Sequence, residues 1–100
     1  MPTINSKSLN SKYAGKEVIC DAHKNARIDE LTGYCIRIKA DDGCWLYDTG
    51  TGENDNAVAK GYLRFADGTL QREFLEEYGQ YVNSEEGRFE AWEYYFLHYD

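Results

Sequence analysis

The spacing of apolar residues changes period along this chain, dividing it into a β-rich part and a helical part. Glu17–Lys24 (EVICDAHK) alternates, with Val18, Cys20 and Ala22 on one side and Glu17, Asp21 and His23 on the other. That alternation predicts a half-buried strand. Two further alternating runs, Tyr34–Lys39 and Cys44–Tyr47, flank Ala40-Asp41-Asp42-Gly43. Asp-Gly supplies the positive-φ backbone of a tight turn, so Tyr34–Thr49 reads as a β-hairpin. Val58–Ala66 (VAKGYLRFA) reads as another strand, stopped by Asp67-Gly68.

A three-to-four spacing takes over at Thr69. Leu70, Phe74, Leu75, Tyr78, Tyr81 and Val82 recur on one side, with Glu73, Glu76, Glu77 and Gln80 opposite, which predicts an amphipathic helix. Asp67 or Thr69 is its expected N-cap. Gly79 either costs the helix about 1 kcal/mol or ends it in a left-handed cap. Ser84–Asp100 carries two patterns. Phe89, Trp92, Phe96 and Tyr99 fit one buried helical face with Glu86 and Glu90 outside, whereas Trp92–Phe96 is also strand-prone, with Asn83–Gly87 as its hairpin loop. A helix beginning after Ser84 is the preferred reading. Thr3–Gly15 is polar and reads as part of a loosely held arm over residues 1–15. Asn25–Gly33 is polar and ends in Thr32-Gly33, a turn signal, with a single helical turn over Ala26–Leu31 as the alternative, and Thr49–Asn56 reads as a polar loop. The expectation is one α+β domain over residues 1–100, a small antiparallel β-sheet of about four strands followed by one or two helices packed on it.

Charge follows the same division. The chain has 100 residues and a formal net charge of −7. Residues 1–40 hold seven Lys/Arg against four acids, a surplus of +3, whereas residues 41–100 hold four against fourteen, a net −10. Glu73–Asp100 alone holds eight acids, one base (Arg88) and nine of the fifteen aromatics. Such asymmetry points to an interaction surface. The negative total excludes broad phosphate-backbone binding, which needs a cationic surplus. An apolar content of 42% supports a core and excludes wholesale disorder. No apolar run reaches the ~20 residues of a membrane span, and Met1–Asn10 lacks the apolar stretch of a secretion signal, so a cytoplasmic location is expected.

No catalytic or cofactor motif is present, so neither enzyme activity nor a cofactor is expected. Cys20, Cys35 and Cys44 are odd in number and read as free buried thiols. With His23 they offer the donors of a tetrahedral zinc site, but Cys20 and His23 would face opposite sides of a regular strand, and no Cys-x2-Cys knuckle exists. Asp48-x-Gly50-x-Gly52-Glu53-x-Asp55 lacks the ligand order of a calcium loop. Nothing in the sequence sets His23 or His98 against a nucleophile. Two candidate surfaces remain. Arg37 and Lys39 with Tyr34 and Trp45 would make a small cationic stacking face for nucleic acid or an adaptor. The acidic segment is the stronger candidate. Glu73, Glu76 and Glu77 share an outer helical face, Glu86, Glu90 and Glu93 recur at spacings of four and three, and Tyr78, Tyr81 and Tyr95 add contact area at low entropic cost. A rigid array of carboxylates can stand in for phosphates before a Lys/Arg groove, so the expected partner is a protein with a basic surface.

Short, acidic, Tyr-rich and motif-poor, the chain resembles the small acidic inhibitors carried by phages and mobile elements, among them anti-CRISPR and DNA-mimic proteins. Ile36–Gly50 (IRIKADDGCWLYDTG) is similar to a hairpin of one small anti-CRISPR family, with an Arg-Ile strand, an Asp-Gly turn and a following Trp-Leu. The resemblance implies stoichiometric, non-enzymatic inhibition, by occupying a nuclease or its guide complex. The acidic tail departs from that hairpin family, and no site residue is carried over from it.

Overall fold

Alternation in sequence becomes a three-stranded meander in the computed structural model, which describes residues 4–50, 53 and 55–99. In chain order the elements are α1 (Ser6–Tyr13), β1 (Val18–Ile19), β2 (Arg27–Leu31), β3 (Cys35–Ala40), β4 (Gly43–Asp48), β5 (Arg64–Phe65), α2 (Gln71–Val82) and α3 (Glu85–Tyr99). β2, β3 and β4 form an antiparallel sheet in that order, and β1 and β5 pair as a separate short ladder. The β3–β4 hairpin closes at Ala40↔Gly43, with Gly43 at a φ of 121° that only glycine adopts readily. The pairings Ile28↔Ile38, Ile38↔Trp45 and Ile36↔Tyr47 put these side chains on one face of the sheet. Arg27, Glu30, Arg37, Lys39, Cys44 and Leu46 take the other face. The inner face carries the core. Leu9 and Tyr13 of α1, Val58 and Leu63 of the connection, and Phe74, Tyr78 and Tyr81 of α2 are all fully buried there. Tyr13 meets Phe74 edge-on with centroids 5.1 Å apart, and the Tyr78 hydroxyl donates to the Thr32 carbonyl at 2.9 Å. The α+β class, with helices packed on a small antiparallel sheet, is thus as expected, its five strands lying in two sheets.

Tertiary contacts overrule several local readings. Where the arm was expected, the described part from residue 4 onward forms α1. Ser8 N–H donates to Asn5 Oδ1 at 2.9 Å and Asn5 N–H donates to Ser8 Oγ at 3.2 Å, a reciprocal cap that starts the helix. The Asn10 amide group then accepts from Leu31 N–H at 2.7 Å and donates to the Leu31 carbonyl at 2.9 Å, sealing β2 to α1. A two-turn helix needs only Leu9 and Tyr13 inside, so its composition stays polar. Asn25–Gly33 ends in the expected turn at Thr32-Gly33, which joins β2 to β3, but it holds no helical turn: Arg27–Leu31 is β2, whose alternation is broken by a register shift between Ile28 and Glu30. The strand expected over Glu17–Lys24 shrinks to β1, because a Cys20↔His23 bridge turns the chain back. Val58–Ala66 is mostly turns, closing as strand only at β5; Asn56 Oδ1 accepts from Val58 and Ala59 N–H at 2.9 and 3.0 Å and bends the chain there. The loop expected over Thr49–Asn56 includes residues 51, 52 and 54, outside the described residues; Thr49 and Asn56 at its ends are buried.

The helical half is closer to expectation. α2 runs through Gly79 without a break. Neither Asp67 nor Thr69 caps it: Leu70 occupies the cap with no side-chain bond, while Asp67 accepts from Thr69 N–H at 2.9 Å and from Lys16 Nζ at 2.5 Å. Within the ambiguous Ser84–Asp100 segment, Glu85–Tyr99 forms helix α3, with Ser84 Oγ accepting from Gly87 N–H at 3.0 Å; Asp100 lies outside the described residues. Leu9→Ala is expected to cost about 2–5 kcal/mol, the usual range for a buried leucine, measured by urea unfolding. Tyr13→Phe should cost less than about 1 kcal/mol, because the buried Tyr13 hydroxyl has no hydrogen-bond partner among the described residues. A loose arm would leave Leu9→Ala neutral.

Candidate interaction surface on the last helix

α3 docks through its smallest residues. Gly87 lies against the backbone of Tyr81 and Val82 and against Gly33 in the β2–β3 turn. A Cβ on Gly87 would collide with the Tyr81 carbonyl, and one on Gly33 with the Gly87 carbonyl. One turn on, Glu90 Oε1 accepts from Gly33 N–H at 2.5 Å, and Tyr94 stacks on Tyr34 with centroids 4.0 Å apart and rings 8° from parallel. With Gly87, Glu90, Ala91 and Tyr94 inward, the helical period turns Phe89, Trp92 and Phe96 outward. They are 61, 63 and 53% exposed, and Leu97 beside them is 69% exposed. Trp92 and Phe96 stack on one another at 5.3 Å. The expected burial of this aromatic face is therefore reversed; the side chain of Tyr99 lies outside the described residues. Large aromatics present about 150–250 Å² each, so the ridge offers on the order of 500 Å² of apolar surface, at the upper end of what monomers expose. A cavity of about 480 Å³ bounded by Ile4, Ser84, Glu85, Glu86 and Phe89 continues it at the helix start.

The candidate carboxylates divide into structural and free ones. Lys12 Nζ binds Glu73 at 2.6 Å and Glu77 at 2.5 Å, clamping α1 to α2, and this ammonium holds the Glu73 carboxyl below its ordinary range. Glu90 is engaged by Gly33. Glu76 stands exposed on α2, and Glu86 and Glu93 are exposed beside the ridge with Glu85. Glu85 and Glu86 also sit in the first helical turn, where the helix dipole favours acids. Tyr78 and Tyr81 are core residues, not contacts; burial pushes both phenols up. Tyr95 is exposed and meets Tyr94 edge-on. The residues the sequence reading missed are Phe89, Trp92 and Phe96, which it placed in the core, and Gly33, Gly87 and Glu85. The small pair Gly87 and Ala91 between aromatics is the pattern that marks a close-packed helix face.

The cationic face does not assemble. Arg37 and Lys39 share the outer sheet face, but Arg37 is held by Asp29 at 2.7 Å and Glu30 at 3.3 Å. Trp45 lies on the opposite face, stacked on His23 at 4.5 Å and donating to Asp42 at 3.0 Å, and Tyr34 is taken up by Tyr94. The zinc donors also separate. Cys20 Sγ lies 3.3 Å from the Tyr47 hydroxyl, His23 Nδ1 lies 2.7 Å from Asp42, Cys35 is buried and Cys44 is exposed, against the expectation that all three thiols are buried. Among the described residues no group of three His, Cys, Asp or Glu is arranged to hold a metal, and no helix is long and apolar enough to cross a membrane. The chain matches no family model, no curated protein and no solved structure.

Gly33→Ala is expected to cost about 1–3 kcal/mol, as overpacking does, and to speed hydrogen exchange along α3 more than in the sheet. The α1–α2 clamp has its own signature. A carboxyl whose folded pKa is depressed contributes stability above its unfolded pKa, and that stability disappears as pH falls through the folded value. Lys12→Gln should therefore shift the acid-unfolding midpoint, followed by far-UV circular dichroism, to higher pH.

Proposed function

We propose that this chain is a non-enzymatic binding protein that lays the outward face of α3 into an apolar groove rimmed by Lys and Arg on a larger protein. The observation that carries the reading is the ridge of Phe89, Trp92 and Phe96. The fold has no use for these side chains, since α3 is held by Gly87, Glu90 and Tyr94 on its other side. Aromatic anchors of this kind dominate binding energy where they enter a desolvated pocket. Glu85, Glu86 and Glu93 flank the ridge with Arg88 as the one base of the helix, so electrostatic complementarity asks for a basic rim. Two copies of α3 face to face would set these acids against each other, which disfavours self-association through this surface.

An apolar groove with a cationic rim is also what a nucleic-acid-binding protein offers a strand, and carboxylates at helical spacing compete for it. The function that follows is stoichiometric inhibition of a cytoplasmic nucleic-acid-binding complex, in the manner of the anti-CRISPR and DNA-mimic proteins. The test is capture of the partner from host extract on the immobilised chain, followed by titration of the purified pair. The expected partner releases its nucleic acid at one equivalent of the chain. Trp92→Ala should weaken binding by about 30-fold or more, the hot-spot range. Retained affinity in a Phe89→Ser, Trp92→Ser, Phe96→Ser triple variant that keeps its circular dichroism would refute the reading.

A further inference from the structure

We infer a second binding element, independent of α3: the free edge of β4, which accepts an extended, β-prone segment carrying basic residues. β4 is an outer strand of its sheet, and among the described residues no strand pairs with its far side. Because the ladder closes at Ala40↔Gly43, alternation turns the N–H and C=O groups of Cys44, Leu46 and Asp48 away from β3. Edge strands are ordinarily blunted by Lys, Pro or a bulge. β4 has none of the three: its register with β3 is unbroken over all six residues, and Leu46 is 54% exposed.

Side-chain recesses lie on both faces of this strand, as strand addition requires for alternate residues. On the outer face Leu46, Asp48 and Tyr95 border a cavity of about 190 Å³. On the inner face, cavities of about 180 and 280 Å³ lie on either side of Tyr47 and Tyr62. The charge around them selects the occupant. Asp41–Ala59 contains five acids and no Lys or Arg; Lys60 is paired with Asp55 at 3.1 Å, and of the β3 cations across from Leu46 and Cys44, Arg37 is held by Asp29 and Glu30, leaving Lys39. A second copy of β4 would bring acids to acids, whereas a strand with basic residues six positions apart would meet Asp48 at one end and, at the other, Asp42, which also takes Trp45 Nε1 at 3.0 Å and lies 2.7 Å from His23 Nδ1.

The test uses the isotope-labelled full chain and the capped peptide Lys-Val-Thr-Val-Thr-Val-Lys. At saturation, amide exchange at Cys44, Leu46 and Asp48 should slow at least tenfold, with Trp45 and Tyr47, already in the ladder, unchanged. Leu46→Pro removes an outward N–H without touching the β3 ladder and should weaken the peptide at least tenfold. Asp48→Asn, which keeps the acceptor for Gly50 N–H at 2.7 Å, should weaken it severalfold in a fully folded chain. Three results overturn the inference: no slowing at the three amides, equal affinity for the peptide with Glu in place of Lys, or protection that rises with chain concentration alone, which would make a second copy the occupant.

Discussion

The contact between Gly33 and Gly87 governs how the rest of this molecule presents itself. Two backbones meet there without side chains between them, at a distance that no Cβ permits. Once Gly87 is seated, the Glu90 carboxylate falls on the Gly33 N–H and the Tyr94 ring on Tyr34. The inward side of α3 is then complete, and the 3.6-residue period leaves the aromatic side nowhere to go but outward. Hydrophobicity alone would have buried Phe89, Trp92 and Phe96; the close backbone approach outcompetes it.

The same economy shapes the electrostatics. The net −7 is not one uniform field. Glu73 and Glu77 share Lys12, Asp67 holds Lys16, Asp29 and Glu30 hold Arg37, and Glu90 serves a backbone amide. These acids position helices and loops. Along β4 the acids are engaged as well, Asp41 by Asn25, Asp42 by His23 and Trp45, and Asp48 by the Gly50 N–H, whereas Glu85, Glu86 and Glu93 stand exposed beside α3's outer face.

Much of the architecture was legible from periodicity. The β3–β4 hairpin and α2 carry their patterns locally, the first in Asp42-Gly43 between alternating runs, the second in Phe74, Tyr78 and Tyr81 at helical spacing. β2 was not legible, because one bulged residue at Asp29 destroys the alternation that identifies a strand. α1 was not legible either, since a helix that buries only Leu9 and Tyr13 looks like a polar linker. Its signal was local and small, the Asn5–Ser8 capping pair. The candidate site was half legible: the right segment was visible, but Tyr78 and Tyr81 read as contacts and Trp92 as core, and packing exchanged them.

By itself the sequence determined the α+β class, the hairpin, the helical C-terminal half and the concentration of acid and aromatic residues there, because period, turn chemistry and composition are properties of neighbours in the chain. Only the tertiary structure decided which face of α3 is buried, which carboxylates are engaged and which strand edge is open. Those outcomes depend on residues far apart in sequence, Gly33 with Gly87, Lys12 with Glu73, and β4 with no strand beyond it among the described residues. A one-dimensional pattern records that a face is apolar; the direction it points is set by whatever packs more closely on the other side.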